Sequence, residues 1–186
     1  MPGRIEVVTG PMFAGKTEEL IRRVRRAAIA RRPVQVFTHA SDTRNRSDAI
    51  SSHTGLIYPS VAVATAADLE QAVRPETTLV GIDEAQFFGL DLPAAAGRLA
   101  LTGADVVIGG LDVTFTGEPF EPMPSLMALA ESVTKLTAVC AVCGEDAVFH
   151  QRIAAAIRDA HEVAAEHIGG LEKYEARCRR HFTAGQ

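Results

Sequence analysis

Residues 10–17 read Gly-Pro-Met-Phe-Ala-Gly-Lys-Thr, two glycines separated by four residues and followed at once by a lysine and a hydroxyl side chain. They follow a β-branched run, Ile5-Glu-Val-Val-Thr9, and open a segment in which Leu20, Ile21, Val24, Ala27 and Ala28 recur at helical spacing. Strand, glycine-bounded turn and helix start are the context in which this pattern cradles phosphate groups. Gly10 and Gly15 let the turn through Pro11, Met12, Phe13 and Ala14 bring backbone N–H groups to the phosphates, and the helix N-terminus adds partial positive charge. Lys16 reaches the β- and γ-oxygens, and the Thr17 hydroxyl ligates Mg²⁺. The chain holds 16 Arg and only 3 Lys, so a lysine in the one slot that suits a compact ammonium is informative in itself.

A phosphate loop of this kind demands a parallel sheet, and the following sequence supplies one. Pro33 ends the first helix, and Val34-Gln-Val-Phe-Thr38 reads as a strand. Ala66 to Val73 predicts a short helix. Leu79-Val-Gly-Ile-Asp83 and Val106-Val-Ile-Gly-Gly-Leu111 are nearly all apolar, as strands buried on both faces are. Leu92 to Leu101 is a helical segment between them, completing a strand-helix-strand crossover. The fold class is therefore α/β: a P-loop, RecA-like parallel sheet flanked by helices, extending to about Val139. From Cys140 the character changes to paired cysteines, a strand-like Ala147-Val-Phe-His150, an alanine-rich stretch and a basic end containing Cys and His. A chain of 186 residues has room for one such domain and a remainder. Residues 1–139 read as the nucleotide-binding α/β domain and 140–186 as a small subdomain.

Asp83 ends a buried strand, where its carboxylate can hold the Mg²⁺ shell opposite the loop, and Glu84, Ala85 and Gln86 follow it. Alone, an Asp-Glu pair at a strand end reads as a solvated turn; joined to a phosphate loop in the same sheet, it reads as functional. Arg22, Arg23, Arg25, Arg26, Arg31 and Arg32 straddle the apolar positions of the first helix and read as a solvated face. The chain carries 19 basic and 23 acidic residues, a net charge of -4, so no general attraction to nucleic acid or anionic membrane is expected. The N-terminal residues lack a basic-then-apolar leader pattern, and no apolar run approaches ~18 residues. A cytoplasmic location is the expectation.

Cys140-Ala-Val-Cys143 and Cys178-Arg-Arg-His181 are two ligand pairs of matching spacing, with 34 residues between them. Together they fill a tetrahedral set with no open position, the pattern of a structural rather than catalytic Zn²⁺. His39, His53 and His161 have no such partners and read as surface or hydrogen-bonding residues. Between the pairs, a stretch from about Ile153 to Glu172 contains Ile168-Gly169-Gly170. It suits a lid loop that closes on a ligand, or equally a helix from Ile153 to His167 capped by Gly169.

The assembly resembles the small, zinc-containing class of thymidine kinases along essentially the whole chain. The resemblance rests on Gly10 to Thr17, Asp42-Thr-Arg44, Gly81-Ile-Asp-Glu-Ala-Gln-Phe-Phe88, Gly110-Leu-Asp-Val-Thr-Phe-Thr-Gly-Glu-Pro-Phe120, Lys135-Leu-Thr-Ala-Val-Cys140, Ile168-Gly-Gly170, Tyr174 and Cys178-Arg-Arg-His181, in the family's order. It implies transfer of the γ-phosphoryl of ATP to the 5′-hydroxyl of thymidine, a pyrimidine deoxynucleoside salvage step. It implies Glu84 as the general base and Arg44 beside the reacting oxygens. Met12, Leu111, Phe115, Phe120 and Tyr174 match positions lining the nucleoside pocket, and His150 falls beside the 5-methyl group. Backbone groups around His167, Ile168, Gly169 and Gly170 match those that hold the base, which favours the lid reading. A homotetramer or dimer is implied in the same way.

Departures from the family pattern bear on substrate choice. His150 stands where a small Thr is usual and His167 where Val is common, while Thr114 and Thr116 replace an Asp and an Arg frequent in bacterial members. A larger, hydrogen-bonding side chain beside the methyl pocket makes deoxyuridine or a broader pyrimidine range a reasonable expectation beside thymidine. The competing readings are another P-loop NTPase, since Asp83-Glu-Ala-Gln86 also looks like a helicase box, and a zinc-dependent nucleotide-binding regulator without turnover. The chain lacks the length and basic channel of a helicase core. A pure binder has no use for Glu84.

Overall fold

The computed structural model describes residues 1–41, 49–52, 55–153 and 174–184. Its largest element is a six-stranded sheet built from β1 (Ile5–Gly10), β2 (Val34–His39), β5 (Val61–Val63), β6 (Leu79–Asp83), β7 (Asp105–Leu111) and β8 (Ser132–Lys135). The order across the sheet is β5-β2-β6-β7-β1-β8, and every neighbouring pair runs parallel. All five residues of β6 are buried, as the unbroken apolar run predicts for a strand covered on both sides.

Alternate side chains enter two cores. Val7, Phe37, Val80 and Val106 face a layer made by α2 (Ala66–Ala72), α3 (Leu92–Leu101) and α4 (Met123–Leu129). Val8, Val36, Leu79 and Val107 face α1 (Lys16–Ile29), which buries Leu20, Ile21, Val24 and Ala27. The period of two along each strand and of 3.6 along α1 thus meet on the same sheet. Arg22, Arg25, Arg26 and Arg31 are exposed as expected, but Arg23 and Arg32 are half-buried and bond to residues of the sheet strands. Arg22 and Arg23 pair with Glu19, Arg23 also reaches Glu6 at 2.7 Å, and Arg32 reaches Asp105 at 2.7 Å.

Beyond β8 the chain forms two small antiparallel pairs. β9 (Ala138–Val139) pairs with β10 (Asp146–Ala147), and β11 (Phe149–Arg152) pairs with β12 (Tyr174–Arg177). The single strand expected over residues 147–150 is divided at Val148, because its two halves have different partners. A four-residue apolar stretch carries no sign of which partner each half takes. Around these pairs Ala138, Cys140, Ala147, Ala176 and Cys178 form a third core, against which Phe13 and Ala14 of the phosphate loop pack.

Three described elements have only weak sequence signals. A short hairpin of β3 (Ala49–Ser51) and β4 (Ile57–Pro59) precedes β5, α4 opens on Met-Pro, and β8 lies half exposed at the sheet edge. Asp42-Thr-Arg44, His53, His161 and the lid-or-helix segment from Ile153 to Glu172 lie outside the described residues. No helix among the described residues is long and apolar enough to cross a membrane.

Candidate active site

Strand β1 ends at Gly10, whose φ of 146° lies in a region that side-chain-bearing residues rarely enter. A Cβ there would sit 2.4 Å from the carbonyl oxygen of Leu136, so only glycine lets the chain leave the sheet at this point. The turn that follows has Phe13 at φ 68° and Gly15 at φ 82°, the latter immediately before α1. No side chain caps this helix start, which leaves it suited to an anion. Lys16 folds back so that its Nζ donates to the Pro11 carbonyl at 2.7 Å.

The buried end of β6 brings Asp83 to the first turn of α1. The Thr17 hydroxyl donates to Asp83 Oδ2 at 3.0 Å, with Oδ1 at 3.3 Å, and Asp83 is 2% exposed. A hydroxyl and a carboxylate joined beside a phosphate loop are hard oxygen donors of the kind that Mg²⁺ takes. Glu84 follows in the left-handed conformation, φ 53° and ψ 43°, and a 3₁₀ turn over Ala85–Phe87 begins after it. The buried Gln86 donates through Nε2 to Glu84 Oε2 and accepts the Leu111 N–H on Oε1 at 3.0 Å. One side chain therefore ties Glu84 to the end of β7. Gly10 to Thr17 and Asp83 to Gln86 gather at the C-terminal ends of parallel strands, where open α/β sheets bind ligands.

An apolar wall stands beside them. Met12, Leu111 and Tyr174 are buried together, with Phe13, Phe115 and Phe120 packed on them. His150, 3% exposed, meets Tyr174 edge-on with ring centroids 5.7 Å apart. Arg152 lies 4.3 Å over the ring of Phe115. The Thr114 and Thr116 hydroxyls share a hydrogen bond of 2.7 Å in the same loop.

The four expected metal ligands converge. The ligand atoms of Cys140, Cys143, Cys178 and His181 all lie within 4.8 Å of one another. Cys140 Sγ is 3.8 Å and Cys178 Sγ 3.3 Å from His181 Nδ1, and the Cys143 and Cys178 sulfurs are 3.8 Å apart. Zn–S bonds of about 2.3 Å in a tetrahedron place sulfurs about 3.8 Å apart, the spacing of Cys143 and Cys178, so the donor set suits Zn²⁺. Burial pushes the Cys140 thiol up, but backbone donors of Cys178, Val142 and Cys143, with the His181 ring, outweigh it and hold the thiol at about 5. Cys143 shifts upward: a backbone donor at Glu145 favours its thiolate, but burial and the neighbouring Cys140 and Cys178 sulfurs outweigh that donor.

Sequence reasoning missed two features of the site. Lys135 Nζ pairs at 2.8 Å with the buried carboxylate of Asp112, spanning from β8 to the end of β7 across β1. Arg152 stacks on Phe115. Asp112 and Lys135 fall inside recognisable motifs, so an ion pair between the buried carboxylate and the half-exposed lysine was open to inference; Arg152 carried no signal. Arg44, His167, Ile168, Gly169 and Gly170 lie outside the described residues.

The model of the thymidine kinase family matches residues 3–182. The chain belongs to that family. A thymidine kinase of Bdellovibrio bacteriovorus is 49% identical over 180 residues, spanning 97% of this chain and 85% of the relative. One of Deinococcus deserti is 46% identical over 191 residues, spanning 97% of this chain and 95% of the relative. The family match runs from the strand before the phosphate loop to the residue after His181, and so takes in both the apolar wall and the metal cluster.

Proposed function

We infer that the chain is a thymidine kinase, transferring the γ-phosphoryl of ATP to the 5′-hydroxyl of thymidine to give thymidine monophosphate. The observation that carries this reading is a family match over residues 3–182 in a chain whose phosphate loop, Asp83 and Glu84 meet at one end of one sheet. Nothing observed favours a helicase-type NTPase or a regulator without turnover.

Phosphoryl transfer needs alignment and charge neutralisation more than covalent participation. The turn from Gly10 to Gly15 holds the phosphates through backbone N–H groups, and Lys16 exchanges the Pro11 carbonyl for the β- and γ-oxygens. Thr17 and Asp83 would hold Mg²⁺, which would supply positive charge to the transferring phosphoryl group. Glu84 accepts the 5′-hydroxyl proton as the oxygen attacks, and Gln86 keeps its carboxylate aimed. Arg44 steadies the reacting oxygens. Met12, Leu111, Phe115, Phe120 and Tyr174 enclose the planar pyrimidine, with His150 beside the methyl position. Backbone groups of His167, Ile168, Gly169 and Gly170 hold the base from a lid that excludes water.

The thiolates of Cys140, Cys143 and Cys178 with the His181 ring would hold a structural Zn²⁺, anchoring residues 140–186 as a subdomain beside the α/β domain of 1–139. The enzyme works in the cytoplasm as a homotetramer or dimer. Incubation of the purified protein with Mg²⁺-ATP and thymidine tests the reading: thymidine monophosphate is the expected product, and its absence with metal-loaded, folded protein overturns it.

A further inference from the structure

The loop from Asp112 to Phe120 carries two walls of the apolar pocket; it is tied to β8 at its start, where Asp112 pairs with Lys135, and three backbone hydrogen bonds run within it. Phe120 N–H donates to the Asp112 carbonyl at 3.0 Å, Thr114 N–H to Glu118 at 2.9 Å, and Gly117 N–H to Thr114 at 3.0 Å. The internal bonds fix the loop's shape, and a ring from the metal-binding turn packs on its tip. At that tip Gly117 has φ 86°, and a Cβ on it would lie 2.8 Å from Cε1 and 3.0 Å from Cζ of Phe182. A phenyl ring edge thus rests on the bare Cα of Gly117.

Phe182 follows the metal ligand His181. Its N–H donates to the Cys178 carbonyl at 3.0 Å, as the His181 N–H does, so one tight turn holds two ligands and this ring. The ring stacks on Phe149, centroids 4.4 Å apart and planes 17° apart, and Arg179 lies 5.1 Å over the far partner. Phe149 precedes His150 of the pocket on β11. The residue after Phe182 is fastened as well, Thr183 N–H donating to Gln151 Oε1 at 3.0 Å.

We propose that Phe182 is a positioning residue for the nucleoside: it transmits the order of the metal cluster to the 112–120 loop by pressing on Gly117, and so sets the placement of Phe115 and Phe120. This route runs through described side chains and is separate from any lid. A metal ion closing the turn at Cys178 and His181 fixes the direction of the Phe182 ring, and a rigid ring on a glycine leaves the loop one resting place. The contacts of this ring with Gly117 and Phe149 lie on the nucleoside side of the site. The substrate readout rests on the thymidine kinase reading.

The test compares metal-loaded wild-type enzyme with Phe182→Ala and Gly117→Ala, the latter keeping all four metal ligands while its methyl forces ring and loop apart. In both variants the KM for thymidine should rise about tenfold, the scale of a lost aromatic contact, while the KM for ATP and kcat stay within about twofold. Metal content, measured on the same samples, should stay equal to wild type in Gly117→Ala. Hydrogen exchange at the amides of Thr114, Gly117 and Phe120, read without substrate, should quicken in Phe182→Ala and on chelation of the wild type. Unchanged exchange and unchanged thymidine KM in Phe182→Ala overturn the proposal, as does an equal rise in both KM values. Absence of thymidine phosphorylation by the wild type sinks the substrate reading alone, and the exchange data then decide the loop's placement.

Discussion

Thr17 donates its hydroxyl hydrogen bond to Asp83 at 3.0 Å across 66 residues of chain, joining the first turn of α1 to the buried end of β6. In the proposed reaction these two side chains would hold Mg²⁺. Thr17→Ala removes one donor without disturbing the helix, so kcat should fall on the order of 100-fold and recover in part at raised Mg²⁺. Steady-state rates over a Mg²⁺ series read this directly. A rate equal to wild type at limiting Mg²⁺ removes Thr17 from the ion's shell.

Glu84→Gln keeps the shape of the side chain and abolishes its basicity. The expected loss in kcat is about 100-fold or more, with ATP affinity retained within about threefold. Full turnover in the Gln variant would assign the proton acceptor elsewhere.

Removal of the bound metal by a chelator, or Cys178→Ser, should lower Tm by roughly 10 °C, because the third core is built around the ligands themselves. Metal analysis should give one Zn²⁺ per chain. Active, fully stable protein free of metal refutes the structural role.

Arg22 holds the Glu19 carboxyl down at about 2, from 4.5; burial opposes this, and Arg23 adds to the lowering. A carboxyl lowered on folding stabilises the folded state above its unfolded value and loses that contribution as pH falls through the folded one. Urea denaturation should therefore find Glu19→Gln less stable than wild type at pH 6, with the gap closing between about pH 4.5 and 2. Solvent screening at the half-exposed Arg22 keeps the gap small. A gap that persists at pH 2 excludes the ion pair as its source.

His150 is buried against Tyr174, so whatever it does to the pocket is done at close range. Side-by-side assays should find deoxyuridine within about tenfold of thymidine in kcat/KM, and His150→Thr should widen that ratio toward thymidine. Discrimination above about 100-fold in the wild type would show that His150 does not loosen the fit.

Much of this was legible in the chain. The apolar runs ending at Asp83 and Leu111 and the helix over Leu92–Leu101 stand where their periodicity placed them. The glycines and lysine of the loop, and the two ligand pairs, carry their chemistry in their spacing. Elements stabilised by neighbours were less visible: β8 pairs with β1 through half-exposed residues, and Ala147 and Phe149 belong to different strands. The contacts of Phe182 and Arg152 were hidden for the same reason, since a ring resting on a distant glycine leaves no local pattern.

Glu84 occupies a backbone conformation, φ 53° and ψ 43°, that glycine or asparagine enters more easily than glutamate. The cost is of the order of 1 kcal/mol or more, borne in every folded molecule whether or not substrate is present. Selection for thermal robustness alone would replace this residue, and Glu84→Gly relaxes the turn while stranding Gln86. Robustness and turnover therefore pull in opposite directions at this position, and a library screened for heat resistance without an activity requirement should drift away from the carboxylate there first.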